Sequence, residues 1–303
     1  MSRKKLLFVF NPNSGRAVTK SHLFEIVDIL STSYDVTVYP TKGRLDAYEK
    51  LRLDGGDYHT VVISGGDGTL SEAVRGIVSL PEASRPPIGY IPTGTTNDFA
   101  SALGISSDIR RAAEDILTGR ELACDIGRFG ETTFNYIAAF GAFTDVAYDT
   151  PQQYKNLLGH TAYILEGISR LSAIKPIRMS VTCPDIKIEE EYIYGMITNS
   201  TSVGGMQLAG EGVSLSDGYF ELLLVRMPRS MTDLSSILHG IASRDFSGEL
   251  FCRARCESVS FVADSPVKWT LDGEYGGSHE WVTVTCMKQA VRFITGAENE
   301  VYK

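Results

Sequence analysis

The stretch Val61–Glu72, V-V-I-S-G-G-D-G-T-L-S-E, constrains this chain more than any other. A β-branched apolar run stops at two glycines, an acid and a third glycine, and a helical pattern follows. That is a strand feeding a helix through a turn able to lie directly against a phosphate. Gly65, Gly66 and Gly68 lack Cβ, so they can adopt φ > 0 and admit a ligand to the backbone N–H groups. A helix starting near Thr69 aims its unpaired N–H groups and its dipole at the same anion. Asp67 does not fit anion binding, because a carboxylate repels phosphate. An acid at that place points to a Mg2+ bridge or to orienting an acceptor. The competing reading is a plain glycine turn.

The pattern around this stretch sets the fold class. Strand-like Lys5–Phe10, Asp35–Tyr39, Thr60–Ser64 and Ile88–Ile91 alternate with helical Lys20–Leu30, Arg44–Leu53, Leu70–Val78, Asp98–Leu103 and Ile109–Leu117. This alternation predicts right-handed βαβ crossovers and a parallel sheet covered on both faces, a Rossmann-like α/β domain over residues 1–130. From Thr132 the rhythm changes to short alternating strands: Arg178–Cys183, Tyr192–Thr198, Tyr219–Val225, Ser258–Val262, Val267–Leu271 and Trp281–Cys286. They predict an antiparallel β-sandwich over 131–289 that binds the substrate. Helices are expected at Leu157–Ile174 and Leu234–Ala242. A return of 290–303 to the first domain, through strand-like Ala290–Ile294, is one option. The active site is expected in the cleft between the two domains, a preferred place for ligand pockets.

Composition excludes several classes. A net charge of −8 argues against a nucleic-acid binder and against broad adhesion to anionic lipid. The start M-S-R-K-K lacks a signal-peptide pattern, and no apolar run is long enough to span a bilayer, so a cytoplasmic protein is expected. Five cysteines, an odd number, fit reduced thiols, and no Cys/His array completes a zinc site.

Two further loops follow predicted strands and carry donors. Asn11–Gly15 reads N-P-N-S-G, without the spacing of a Walker loop. Pro92–Ala100 reads P-T-G-T-T-N-D-F-A. There Thr93, Thr95 and Thr96 can donate to phosphate oxygens, while Asn97-Asp98 also reads as a helix N-cap. In the second half, Asp217-Gly218 in S-L-S-D-G-Y and Asp272-Gly273 in L-D-G-E each read as a hairpin turn.

Taken together, G-G-D-G-T with L-x-E resembles a signature shared by diacylglycerol, sphingosine and NAD kinases and 6-phosphofructokinases. N-P-x-S-G, P-x-G-T-x-N-D-F-A and D-G-E narrow the resemblance to the bacterial soluble diacylglycerol kinase and YegS-like lipid kinases. The resemblance implies an NAD-kinase-type α/β domain and an ATP- and Mg2+-dependent transfer to a lipid hydroxyl, with diacylglycerol giving phosphatidic acid. It implies Glu274 as general base, with Asp67 and Asp98 as catalytic partners. It assigns the nucleotide to Asn11, Asn13, Ser14, Gly15, Thr41, Gly65, Gly66, Asp67, Gly68, Thr69, Glu72, Gly94, Thr95 and Asn97. It assigns a structural Mg2+ to the Asp217 carboxylate and the carbonyls of Ser214 and Tyr219. The lipid is expected to be met transiently at the inner face of the membrane, and sandwich edge strands would allow a homodimer. The alternatives are another lipid acceptor (sphingoid base, ceramide, monoacylglycerol or polyprenol), a soluble NAD-kinase-like enzyme, and a non-catalytic nucleotide or lipid sensor. The apolar stripe of Leu157–Ile174 reads as core or as a lipid-access helix.

Overall fold

The computed structural model describes residues 3–142, 175–184, 186–199, 202–203, 206–207 and 214–297. The expected helix over Leu157–Ile174 lies outside them. The chain groups into two compact units, one of Met1–Tyr136, Ser200–Gly218 and Met287–Lys303, the other of Ile137–Asn199 and Tyr219–Cys286.

In the first unit, β1 (Lys4–Phe10), β2 (Tyr34–Pro40), β3 (Thr60–Gly65) and β4 (Ile88–Pro92) pair in parallel, in the order β2-β1-β3-β4. Every residue of β3 and β4 is buried, as parallel strands covered on both faces must be. Between them run α1 (Val18–Ser31), α2 (Asp46–Asp54) and α3 (Asp67–Val78), and after β4 come α4 (Asp98–Ala102) and α5 (Ile109–Thr118). Leu6, Phe8 and Phe10 alternate onto one face, where they join Ile26 and Leu30 of α1 and Ala112, Ala113 and Ile116 of α5 in a single core. On the α2–α3 side, a Cβ on Gly76 would come within 2.8 Å of the Tyr48 carbonyl and 2.9 Å of Leu51 Cβ. That contact explains the glycine inside a helix. Because the strands are parallel, the loops after β1, β3 and β4 emerge at one edge of the sheet.

β5 (Arg120–Phe129) pairs with the short β6 (Thr132–Phe134). In the second unit, β7 (Ile137–Gly141) and β8 (Ile177–Cys183) both pair with β9 (Ile186–Thr198). The two-residue strands β10 (Ser202–Val203) and β11 (Met206–Gln207) form a small ribbon. β12 (Phe220–Arg226) joins β9 to β13 (Phe251–Cys256), and β14 (Ser258–Leu271) pairs with β7, β8 and β15 (Glu274–Thr295). β7 and β8 therefore lie end to end in one slot between β9 and β14. Among the described residues these strands pair antiparallel with one another within a single hydrogen-bonded network. Phe140, Phe261 and Trp269 form its aromatic centre, with ring centroids 4.7–6.1 Å apart. Helix α6 (Met231–Ser243) starts from a capping box of Ser230 and Asp233.

Several elements differ from expectation. The segments 258–262 and 267–271 are one strand whose register slips between Val262 and Val267, around Pro266. A bulge lets proline leave the ladder without ending the strand. Likewise 281–286 and 290–294 are one strand, broken locally by Gln289 at φ 50°. β5 and β13 escaped the sequence reading because charged residues interrupt their apolar pattern. In β13 these are Arg253 and Arg255, on a strand paired only with β12 among the described residues. Nor did periodicity reveal that 200–218 belongs with the first unit.

Candidate active site

β3 runs into Gly66, the N-cap of α3, and the helix begins at Asp67 rather than near Thr69. The first helical bond, Leu70 N–H to Gly66 O at 3.1 Å, fixes that start. Asp67 thus stands in the first turn, where the helix dipole favours a carboxylate. None of Gly65, Gly66 and Gly68 has positive φ, contrary to the expectation; among the loop glycines Gly15 does, at 53°. Gly65 and Gly94 are needed for space. A Cβ on Gly65 would fall 2.6 Å from Thr69 Cβ, and one on Gly94 would fall 2.5 Å from Gly66 Cα. The loops after β3 and β4 therefore touch backbone to backbone.

Hydrogen bonds tie all three loops together. Asn11 N–H donates to Ser64 O (2.9 Å) and its side-chain amide to Thr69 Oγ1 (3.3 Å). Asn13 N–H donates to Asn11 Oδ1 at 2.9 Å, and the Ser14 hydroxyl donates to Thr93 O at 3.2 Å. Beneath them a buried hydroxyl cluster joins Thr19 to Ser64 (3.0 Å) and to Thr93 (3.2 Å). The Thr93 side chain is thereby occupied, while Thr95 and Thr96 are exposed. Asn97 sits at the N-cap of α4 with φ 53°, but its side chain makes no capping bond. Instead it closes its own loop: Gly94 N–H donates to Asn97 Oδ1 (3.0 Å) and Asn97 Nδ2 donates to Gly94 O (2.9 Å). The Tyr90 hydroxyl donates to Gly65 O at 3.1 Å from below.

Asp67 is the electrostatic centre of this corner. Burial, then the neighbouring Asp98 carboxylate, pushes its pKa above the usual carboxylate range, against the pull of the backbone N–H groups of Asp98, Phe99 and Asn97. Those donors belong to the start of α4. Asp67 Oδ1 is buried with no hydrogen-bond partner. Asp98 Oδ2 accepts from the Tyr136 hydroxyl at 3.3 Å.

Thr41 and Glu72 meet different surroundings. Thr41 N–H donates to Phe10 O at 2.9 Å, beside the first loop. Glu72 Oε1 accepts from Leu45 N–H at 2.8 Å, and burial raises its pKa. Its carboxylate thus secures the start of α2, where Leu45 is held at φ 63°.

The Ser214–Gly218 turn is governed by Asp125, a residue the sequence reading missed. This fully buried carboxylate accepts from Gly218 N–H (2.6 Å) and Gln289 N–H (2.7 Å), and Asp125 N–H donates to Leu215 O (2.7 Å). Its only signal in sequence is an acid inside the apolar run L-A-C-D-I. Gly218 has φ 88°, as the Asp217-Gly218 turn requires. The Tyr219 ring lies 4.5 Å from the Arg255 guanidinium. Asp272 and Gly273 both have positive φ, at 50° and 82°, and form the two-residue hairpin expected from L-D-G-E. Glu274 opens β15 and is exposed.

A cavity of about 430 Å3 opens at the opposite edge of the first unit's sheet, lined by Lys4, Thr60, Arg85, Pro87, Gly119 and Arg292. It includes no residue of the three loops, and its arginines are engaged: Arg85 by three backbone carbonyls, Arg292 by Glu121 and the Arg85 carbonyl. The close-packed loop corner is the better candidate for chemistry. Among the described residues no helix is long and apolar enough to cross a membrane.

Residues 5–129 match the diacylglycerol kinase catalytic domain. The chain is 30% identical over 277 residues to a diacylglycerol kinase of Bacillus subtilis (strain 168), covering 90% of this chain and 91% of that one. It is 32% identical over 281 residues to a diacylglycerol kinase of Staphylococcus epidermidis, covering 91% and 87%. A solved diacylglycerol kinase structure from Bacillus anthracis str. Sterne superposes with a TM-score of 0.76 at 20% identity, over 98% of each chain. Another solved chain from that organism gives 0.80 at 22% identity, over 98% of this chain and 96% of that one, so the fold is shared along nearly the whole length. The chain belongs to the diacylglycerol kinase family, ATP-dependent kinases that phosphorylate an alcohol.

Proposed function

We propose that this protein transfers the γ-phosphate of ATP to the hydroxyl of diacylglycerol, giving phosphatidic acid, as a cytoplasmic enzyme that visits the inner face of the membrane. The observation that carries this reading is the corner of Gly66, Gly94 and Asp67. Two loops pressed together without side chains stand at the start of α3, whose first-turn N–H groups have no intrahelical partner, beside a carboxylate oxygen with no partner of its own.

In this reading the first unit holds the nucleotide. The first-turn N–H groups of α3, with Asn11, Asn13, Ser14, Gly15, Gly65, Gly68, Thr69, Gly94, Thr95 and Asn97, cradle the phosphates, and Thr41 lies toward the nucleoside. Glu72 serves by holding the α2 loop beside Thr41. Asp67 and Asp98 orient the reacting groups. The second unit binds the lipid and supplies Glu274. The acceptor O–H attacks the γ-phosphorus, the bond to the β-phosphate oxygen breaks, ADP leaves, and the hydroxyl proton passes to the Glu274 carboxylate.

The turn at Ser214–Tyr219 offers hard oxygen donors, namely the Asp217 carboxylate and the carbonyls of Ser214 and Tyr219, on a backbone pinned by Asp125. That donor set fits Mg2+, and the orphaned Asp67 oxygen fits a second charged or hydrated neighbour. A bound Mg2+ would neutralise phosphate charge. An edge such as β13, paired only with β12 among the described residues, leaves a homodimer within this reading, with Arg253 and Arg255 as the residues opposing it; sedimentation of the purified chain decides it.

Labelled ATP offered with dioleoylglycerol in mixed micelles, beside soluble NAD and a total lipid extract, tests the reading. Phosphatidic acid is the expected product. Label in NAD would move the chain to soluble substrates, and another lipid product would change only the acceptor. Glu274→Gln should bind ATP normally and lose about 100-fold or more in turnover, within the range general-base catalysis supplies.

A further inference from the structure

The hairpin that presents Glu274 is fastened to a strand far away in the chain. At its tip, Asp272 N–H donates to Ile137 O at 2.9 Å, and Ile137 N–H donates back to Asp272 Oδ1 at 3.3 Å. Ile137 is the first residue of β7, which continues beside the hairpin through Ala138–Leu271 and Ala139–Thr270 pairs. Asp272 is 5% exposed, so its carboxylate makes this bond out of water. A hydrogen bond shielded from water holds geometry more firmly than an exposed one.

A two-residue turn alone does not require this. Asn-Gly and Gly-Gly serve the same hairpin, because all that the turn asks is φ > 0 at both positions. Gly273 fits that minimum: a Cβ there would meet nothing within 4 Å. Asp272 does more, since its side chain closes a two-way link with a residue 135 positions earlier. Glu274 follows two residues later as the first residue of β15, paired with Leu271. Its backbone position is therefore fixed by the turn on one side and by the Ile137 link through the turn on the other.

We propose that Asp272 is a positioning residue for Glu274: its carboxylate, acting on Ile137 N–H, locks the hairpin tip so that the Glu274 carboxylate is held where the acceptor proton is taken. This rests on the reading of Glu274 as general base. A misplacement of about 1 Å in such a group can cost about 100-fold in rate.

The test uses the full chain, with dioleoylglycerol in mixed micelles, and compares Asp272→Gly, Asp272→Asn and each in a Glu274→Gln background. Asp272→Gly keeps the φ > 0 turn and deletes the side chain with its carboxylate; kcat should fall by about 10-fold or more with the KM for ATP nearly unchanged. Asp272→Asn keeps an acceptor oxygen and should restore most of the rate. In the Glu274→Gln background the glycine substitution should cost less than about twofold further, because its effect runs through the missing carboxylate. Wild-type kcat in Asp272→Gly, failure of Asp272→Asn to recover, or additive losses in the double variant would each overturn the proposal. If Glu274→Gln itself turns over normally, the base reading fails first and takes this inference with it. An inactive Glu274→Gln beside a fully active Asp272→Gly removes the positioning role alone. Should Asp272→Gly not melt cooperatively, Asp272→Ser, whose hydroxyl is too short for the same span, is read in its place.

Discussion

Asp125, fully buried, and Asp67, half-buried with one oxygen shut off from solvent, are two acids of the same unit with opposite circumstances. Asp125 has both carboxylate oxygens satisfied by backbone N–H groups, at 2.6 and 2.7 Å, and each donor lies on a segment distant in sequence. Asp67 keeps one buried oxygen without a partner and is pushed toward its neutral form by burial and by Asp98. A satisfied buried carboxylate is a structural fastener. One left short of partners costs stability, and such cost is tolerated where a ligand or a reaction completes the site. Both acids carry a carboxylate into the interior, so it is the unmatched oxygen that sets Asp67 apart.

Three substitutions break or sharpen this contrast, in falling order of their effect on stability. Asp125→Ala strands the buried Gly218 N–H and the part-buried Gln289 N–H and should destabilise the fold by about 2 kcal/mol, seen as a lower midpoint in urea unfolding. A value near zero would remove Asp125 as the fastener of the Ser214–Gly218 turn. Gly94→Ala drives a methyl into Gly66 Cα and Asn97 Oδ1, so the loops must separate, at about 1–3 kcal/mol. ATP affinity measured by calorimetry should fall with it; unchanged affinity would mean that the loop contact does not shape the phosphate cradle.

Asp67→Asn should do the reverse of Asp125→Ala, with a small gain in stability at neutral pH and loss of turnover. The sign follows from the raised folded-state pKa. The folded protein holds the Asp67 proton more tightly than the unfolded chain, so wild-type stability falls as pH rises from the ordinary carboxylate range through the raised value. The asparagine variant does not titrate there. The two melting temperatures should therefore converge in acid and separate by a few degrees at neutral pH. Equal melting temperatures at every pH would show that the Asp67 carboxylate carries no strain.

The sequence determined the parallel α/β half because its signals are local. Period, apolar runs and turn residues place β1–β4 and their helices within a few positions, and parallel pairing then brings the three loops to one edge. The glycine-rich corner was legible in the same way, though Gly66 and Gly94 serve close approach between loops instead of φ > 0. What only the tertiary structure decided depends on partners far apart in the chain. Periodicity contains no record that Asp125 meets Gly218 and Gln289, that Asp272 meets Ile137, or that Asn97 bonds to Gly94 instead of capping α4. It also divides β14 and β15 where a bulge and one left-handed residue merely bend them. The physical reason is common to these cases. A side chain's hydrogen-bond partner is set by which backbone groups burial leaves unpaired, and that is known only once the strands have found their neighbours.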